Sequence, residues 1–367
     1  MKIIIISIFI LLLLNLGFAQ TIPADSLYLG QTPPSDSPKI FSLSVTPGFF
    51  ASERLTISND GKNIYYGEIN GYTFSSTSRL KYYSYVNNKW TGPINLFEGF
   101  CAPALSFTED TMYLENSLSV KKDNGWSNPK RFLLSAHYFQ AANKNHYYIL
   151  SKPDKGNDGK DYCMIFINGI DTIILGAPLN PKKGNYDFFI SKDESFMILA
   201  WSSSALSISY HKSDGSWTNP KSLGNKINNQ DAKYLWGPFV TNDNRYLFFS
   251  KFPSLPNNRI CWVRIDDLID SLKHTNFVPY LKNQIKDQTG SPGHLFSFSV
   301  PDSIFIDDDG NNTLTYTATI TAKLDNEITC PSWLHFNTDN KTFSGIPAGT
   351  GKYIINVTAI DWKIRTN

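Results

Sequence analysis

The 367-residue chain is poor in the residue groupings that most often carry chemistry. Its four cysteines, Cys101, Cys163, Cys261 and Cys330, stand far apart and never as C-x-x-C, which excludes the common zinc motifs and a dense disulfide framework. They read as buried free thiols, although an oxidising compartment would permit a bridge between any two that met in space. The six histidines, His137, His146, His211, His274, His294 and His335, form no H-E-x-x-H or H-x-H pair. There is no G-x-S-x-G elbow and no Walker-type glycine loop, and Cys163 in the apolar run YCMIFI reads as core rather than nucleophile. Charge is scarce as well. Charged residues make up 18% of the chain and the formal net charge is +2, so no basic stripe marks out nucleic acid or an acidic membrane as partner.

Long apolar runs are missing too, with one exception. Lys2 is followed by an almost unbroken apolar stretch from Ile3 to Leu14, and then by Gly17 and Ala19 at small-x-small spacing. These are the parts of a secretory signal over residues 1–19, cleaved after Ala19. The run is too short for a spanning helix, which needs about 20 apolar residues. Without a cysteine at the cleavage point, no lipid anchor is expected. The expectation is an exported chain, periplasmic or extracellular, with cell-surface association open and no transmembrane segment in the mature form. The chain stops shortly after its last recognisable strand, so it is also read as a possible piece of a longer polypeptide.

What the chain does have is aromatic residues: 19 Tyr, 25 Phe and 8 Trp, 14% of the total. Such residues favour a pleated, half-buried surface, and strands are expected throughout. Five segments repeat one shape, an apolar strand, a polar turn and a second strand rich in aromatics. They are LTISNDGKNIYYGE (55–68), LSFTEDTMYLEN (105–116), FQAANKNHYYILS (139–151), FFISKDESFMILA (188–200) and PFVTNDNRYLFFS (238–250). Their turn residues Asp60, Asp110, Asn143, Asp193 and Asp243 fall 50, 33, 50 and 50 residues apart, the period of a four-stranded propeller blade. Asp and Asn suit such turns because they bond to nearby backbone amides, so these positions read as structural. Three of the repeats continue into outer strands that end in Trp-[TS]-x-Pro, at Trp90, Trp126 and Trp217. The third and fifth lack that ending.

With these motifs in hand, SNDGKNIYY and GSWTNPKSLG in particular, residues 27–273 resemble the TolB-type, WD-repeat-like propeller family. The repeats count as five blades, or six if a divergent repeat escapes the pattern. A strand over Ile40 to Val45 is expected to complete the last blade, and the run IDDLIDSL (265–272) has helical spacing. Residues 274–284 read as a linker.

From residue 285 the pattern alternates polar and apolar residues in short strands, which suggests a sandwich over 285–367. HLFSFSVPDSIFI, TLTYTATI, PSWLHFN with TFSGIP, and GKYIINVTAID follow in order. Over 280–362 this looks like the dystroglycan-type, cadherin-like family of immunoglobulin domains. The resemblance implies Ca²⁺ held by Asp287, Asp307, Asp309 and Asp361, since the ion needs six to eight oxygens and would relieve the repulsion among gathered carboxylates.

The fold expected is therefore all-β, a propeller followed by an immunoglobulin-like sandwich. The function expected is recognition of a glycan or protein at the propeller mouth, with the sandwich as spacer or calcium-dependent adhesion module. The alternative is a polysaccharide-processing enzyme, or the accessory propeller of a peptidase or hydrolase. No catalytic residue is named, but Trp201, Tyr234 and Trp236 near the inner-strand ends are candidates for the ligand surface. A carboxylate cluster in the mouth would favour the enzyme, and a mouth of aromatics and amides would favour binding.

Overall fold

The computed structural model describes residues 21–361, apart from 74, 124, 133–135, 152–162, 169–170, 180–184, 202–204, 230, 253–257 and 323–330. The signal segment lies outside the described residues, as do the side chains of Trp201 and Cys163. The regular elements of the described residues are nearly all strands.

The first strand, β1 (Lys39–Ile40), belongs to the last sheet. Blade one is β2 (Phe50–Ile57), β3 (Asn63–Ile69), β4 (Ser78–Val86) and β5 (Lys89–Glu98). Blade two is β6 (Pro103–Leu105), β7 (Thr111–Leu114) and β8 (Ser117–Lys122), with β9 (Gly125–Trp126) and β10 (Lys130–Arg131) both paired to β8. Blade three is β11 (Ala136–Ala141), β12 (His146–Ser151), β13 (Cys163–Asn168) and β14 (Asp171–Ile174). Blade four is β15 (Asn185–Ile190), β16 (Phe196–Trp201), β17 (Ala205–Tyr210) and β18 (Lys221–Ser222). The last sheet is β19 (Tyr234–Val240), β20 (Tyr246–Phe252) and β21 (Arg259–Arg264), with β1 as its outer strand. The innermost strands neighbour one another in the order β2, β6, β11, β15, β19, and β19 also neighbours β2.

The repeat signature has a physical account. Asp60 Oδ1 accepts from the Ser58 hydroxyl and the Lys62 N–H, at 2.7 and 3.0 Å, and so closes the turn between β2 and β3. Asp193, Asp243 and Asn143 accept from residues two further along in the same way. The tryptophans of the Trp-[TS]-x-Pro endings join neighbouring sheets. Trp126 Nε1 donates to the Tyr65 hydroxyl of blade one at 3.3 Å, and Trp217 of blade four meets Tyr148 of blade three edge-on. Trp90 donates to the Ser26 carbonyl, in the segment before β1.

The closing strand is shorter than the sequence suggests. Lys39 and Ile40 pair with Trp262 and Cys261, and the Phe41 N–H still reaches the Ile260 carbonyl. At Ser42 the Gln31 carboxamide takes over, accepting the Ser42 N–H at 2.8 Å and donating to its carbonyl at 2.9 Å. A side chain thus replaces the ladder. Phe41 is buried against Phe248 and Trp262. After β21 the helix Asp266–Lys273 lays Leu268, Ile269 and Leu272 on the same core.

The sandwich pairs Leu314–Ala322 with Tyr353–Asp361, and Thr342–Gly345 with both Phe296–Ser299 and His335–Asn337. Tyr280–Leu281 pairs with Phe305–Ile306, so the sandwich takes in residues that read as linker. Its core is Val300, Ile304, Leu334 and Phe343. The glycine of TFSGIP is needed because a Cβ at Gly345 would lie 1.7 Å from the Trp333 carbonyl oxygen. No helix among the described residues is long and apolar enough to cross a membrane.

Candidate functional site

In each blade the antiparallel order puts the start of the inner strand and the loop between the second and third strands at one end of the sheet. At that end, here the mouth, four of the five inner strands break register: β2 between Ser52 and Leu55, β11 between Ala136 and Tyr138, β15 between Asn185 and Asp187, and β19 between Trp236 and Phe239. A β-bulge re-aims the side chain it carries. The bulges bring Glu53, Tyr138, Asp187 and Trp236 toward one another from four separate blades.

Arg54 crosses the interior of the ring. Its Nη2 meets Asp187 Oδ1 at 2.5 Å and also donates to the Phe188 carbonyl. Its guanidinium lies 5.1 Å from the Tyr138 ring centroid. Both members of the pair are buried, Arg54 at 2% exposure. Asp187 also accepts from the Phe188 and Gly237 amides, each at 2.7 Å. Burial raises the Asp187 carboxyl, against the opposing pull of Arg54. Gly237 adopts φ +62° and passes so close to β2 that a Cβ there would be 2.6 Å from the Glu53 carbonyl oxygen.

Glu53 itself has φ 64°, a left-handed backbone that costs a glutamate free energy and persists only where surroundings hold it. Here Ser250 Oγ donates to its carbonyl at 2.8 Å and Gly237 packs on it. The carboxyl accepts from the Tyr138 hydroxyl at 2.7 Å. Glu53 keeps partial solvent access, yet protein encloses its carboxyl, and burial pushes it up to about 7. The Tyr138 bond opposes that rise, while the charges of Asp187 and Glu115 add to it. Glu115 is raised by burial too, and the Cys101 thiol, 3.9 Å from its Oε1, is pushed well above the usual range. Cys101 and Cys261 are free thiols. High thiol values leave both protonated and unreactive near neutrality.

Beside this carboxylate group lies an aromatic cluster. Tyr72, 42% exposed, meets Trp236 at 5.7 Å and Phe252 at 5.8 Å, both edge-on. Tyr234 stacks on Phe252. The Tyr72 hydroxyl bonds with Ser52 Oγ and accepts from Asn258 Nδ2 at 2.9 Å. Two buried polar atoms here have no partner among the described residues, Trp236 Nε1 and Asn258 Oδ1. The expected aromatics Tyr234 and Trp236 are therefore at the mouth. Glu53, Arg54, Tyr138 and Asp187, which no motif marks, stand beside them.

Behind the Arg54–Asp187 pair, at the turn end, a cavity of about 190 Å³ is lined by Arg54, Asn59, Gln140, Lys192, Thr241 and Asn242. Lys192 and Asn242 both donate to Asn59 Oδ1.

The four aspartates expected to hold Ca²⁺ are not gathered into one cage. Asp307 accepts from the Asp309 N–H at 2.9 Å and from the Thr313 hydroxyl, and burial raises its carboxyl, with the charges of Asp361 and Asp309 adding. Asp309 accepts from the Phe277 N–H. Asp287 lies on the rim of a cavity of about 540 Å³ with Trp333 and Tyr353, which none of the other three lines. Among the described residues, no three His, Cys, Asp or Glu side chains are grouped to hold a metal ion.

Nothing matches among curated proteins. Solved structures resemble the chain at low identity. Hydrazine synthase of Kuenenia stuttgartiensis is 14% identical over 57% of each chain, with a TM-score of 0.34. The Cps50 (Swd1) β-propeller domain of Myceliophteria thermophila is 8% identical, covering 58% of this chain and 65% of its own, with a TM-score of 0.34. The chain thus spans less than two thirds of either. Oligogalacturonate lyase of Vibrio parahaemolyticus is 11% identical, covering 61% of this chain and 68% of its own, with a TM-score of 0.32. Residues 278–366 are similar to the family described as putative Ig domain.

Proposed function

We propose that the propeller mouth recognises a glycan. The observation that carries this reading is the joint placement of the Tyr72, Trp236, Phe252 and Tyr234 rings with unpartnered polar atoms. Flat rings with polar edges stack on the apolar faces of sugars. The Trp236 N–H and Asn258 carbonyl supply a donor and an acceptor for hydroxyl groups, and a buried polar atom without a partner is costly until a ligand or water meets it. A glycan array probed with the purified protein tests this. Retention on at least one carbohydrate, lost at least tenfold in Tyr72→Ala and Trp236→Ala, is the expected result. Retention on none, or equal retention by the variants, would refute the proposal.

One observation favours a second reading. A carboxyl that holds its proton to about pH 7 can exchange it with a bound molecule, and Glu53 lies next to the aromatic cluster. On this reading the protein processes the glycan it binds. Glu53→Gln would then keep retention on the array while cleavage of the retained carbohydrate, followed by mass spectrometry, stops. Cleavage at an undiminished rate in that variant would remove Glu53 from the chemistry.

A further inference from the structure

The acidic turn Asp307–Asp309 is engaged by groups outside the sandwich. The Asp308 side chain is fully buried, with one oxygen 2.8 Å from Lys212 Nζ and the other accepting the Asn219 N–H at 2.5 Å. Both partners belong to the outer edge of blade four. The next carboxylate, Asp309, accepts from the N–H of Phe277, whose ring is buried. Lys221, in β18 of the same blade, sits 3.1 Å from the Phe277 ring centroid and donates to the Leu272 and Thr275 carbonyls. Asn219 Nδ2 donates to the Val278 carbonyl at 2.9 Å. Two residues of one blade edge thus hold Asp308, and with Lys221 they also hold the segment that leads to it and that binds Asp309.

We infer that this turn is a docking plug, received by a cationic cradle of Lys212, Asn219 and Lys221 on blade four, and that it fixes the sandwich in one orientation against the propeller. A buried carboxylate is tolerated only when paired and hydrogen-bonded, and Asp308 has both a cation and an amide. Such a pair supplies more orientation than stability, because a tilt of either domain strands the charge. The plug also competes with calcium for Asp309, since an ion drawing that carboxylate into its own shell would have to take it from Phe277.

The test combines small-angle X-ray scattering with calorimetry of the purified protein and of its Asp308→Asn, Lys212→Gln and doubly substituted variants. The parent should scatter as one compact particle at low and high salt, because buried pairs are weakly screened. Each single variant should show a larger radius of gyration and a separate, earlier unfolding transition. The double variant should be no worse than the poorer single one, as for partners in one interaction. Should Asp308→Asn fail to fold, Lys212→Gln decides the matter from the other side. Identical scattering and melting in parent and variants would overturn the inference. So would a calcium-induced rise in the melting temperature that Asp308→Asn retains, at unchanged scattering, and that Asp307→Asn/Asp309→Asn abolishes.

Discussion

Because the Glu53 carboxyl holds its proton to about pH 7 in the folded state and to about 4.5 when exposed, the folded protein binds the extra proton between those values. Its contribution to stability is fully present below about pH 4.5 and is lost as pH rises through about 7. Glu53→Gln removes the titration, so the variant should gain on the parent as pH increases, by about 2 kcal/mol at pH 8. Urea melts at pH 5 and pH 8 read that difference, and a gap that stays constant between them would contradict it. Arg54 makes a larger demand. Arg54→Met leaves Asp187 buried with amide donors alone, and a cost of about 3–5 kcal/mol is expected. A loss below about 1 kcal/mol in a denaturation series would mean that Asp187 is not charged in the parent. The motif reading misses this group because it is assembled from residues 53, 54, 138, 187 and 237, on four blades. A signal was present nonetheless: Ser52-Glu53-Arg54 is a polar run inside an inner strand that is otherwise largely apolar.

At the scale of elements much more was legible. The turn aspartates and the blade-ending tryptophans act locally or on an adjacent sheet, so their spacing survives as a pattern in the chain. The bulges do not, because a register break depends on which strand lies opposite. The closing strand was legible as an element but not in length, since only the fold brings the Gln31 carboxamide to Ser42. Phe41 holds that strand in place. Phe41→Ala should cost about 3–5 kcal/mol. It should also remove hydrogen-exchange protection from Ser42 and from the amides of β21 that face β1. Unchanged protection there would show that the two-residue ladder holds without its aromatic anchor.

The whole molecule joins two domains whose contacts no local pattern announces. Asp308 lies 96 residues from Lys212 and 89 from Asn219, too far for any spacing rule, so the shared interface became visible only with the fold. Burial lowers Lys221 to about 8 despite the nearby Asp309 and Asp308. The unfolded chain keeps that proton to higher pH, so stability should rise as pH increases from about 8 to about 10.5, and Lys221→Met should flatten the slope. A parent with no such slope relative to the variant would argue against the buried ammonium. The pairing of Lys39 and Ile40 with Cys261 and Trp262 also sets a timetable. A chain delivered from its N-terminus cannot seal the ring until residue 264 has followed, because the first strand waits for the last sheet. Four blades must therefore hold together with an open seam, and the slow step of folding should be the meeting of two segments more than two hundred residues apart.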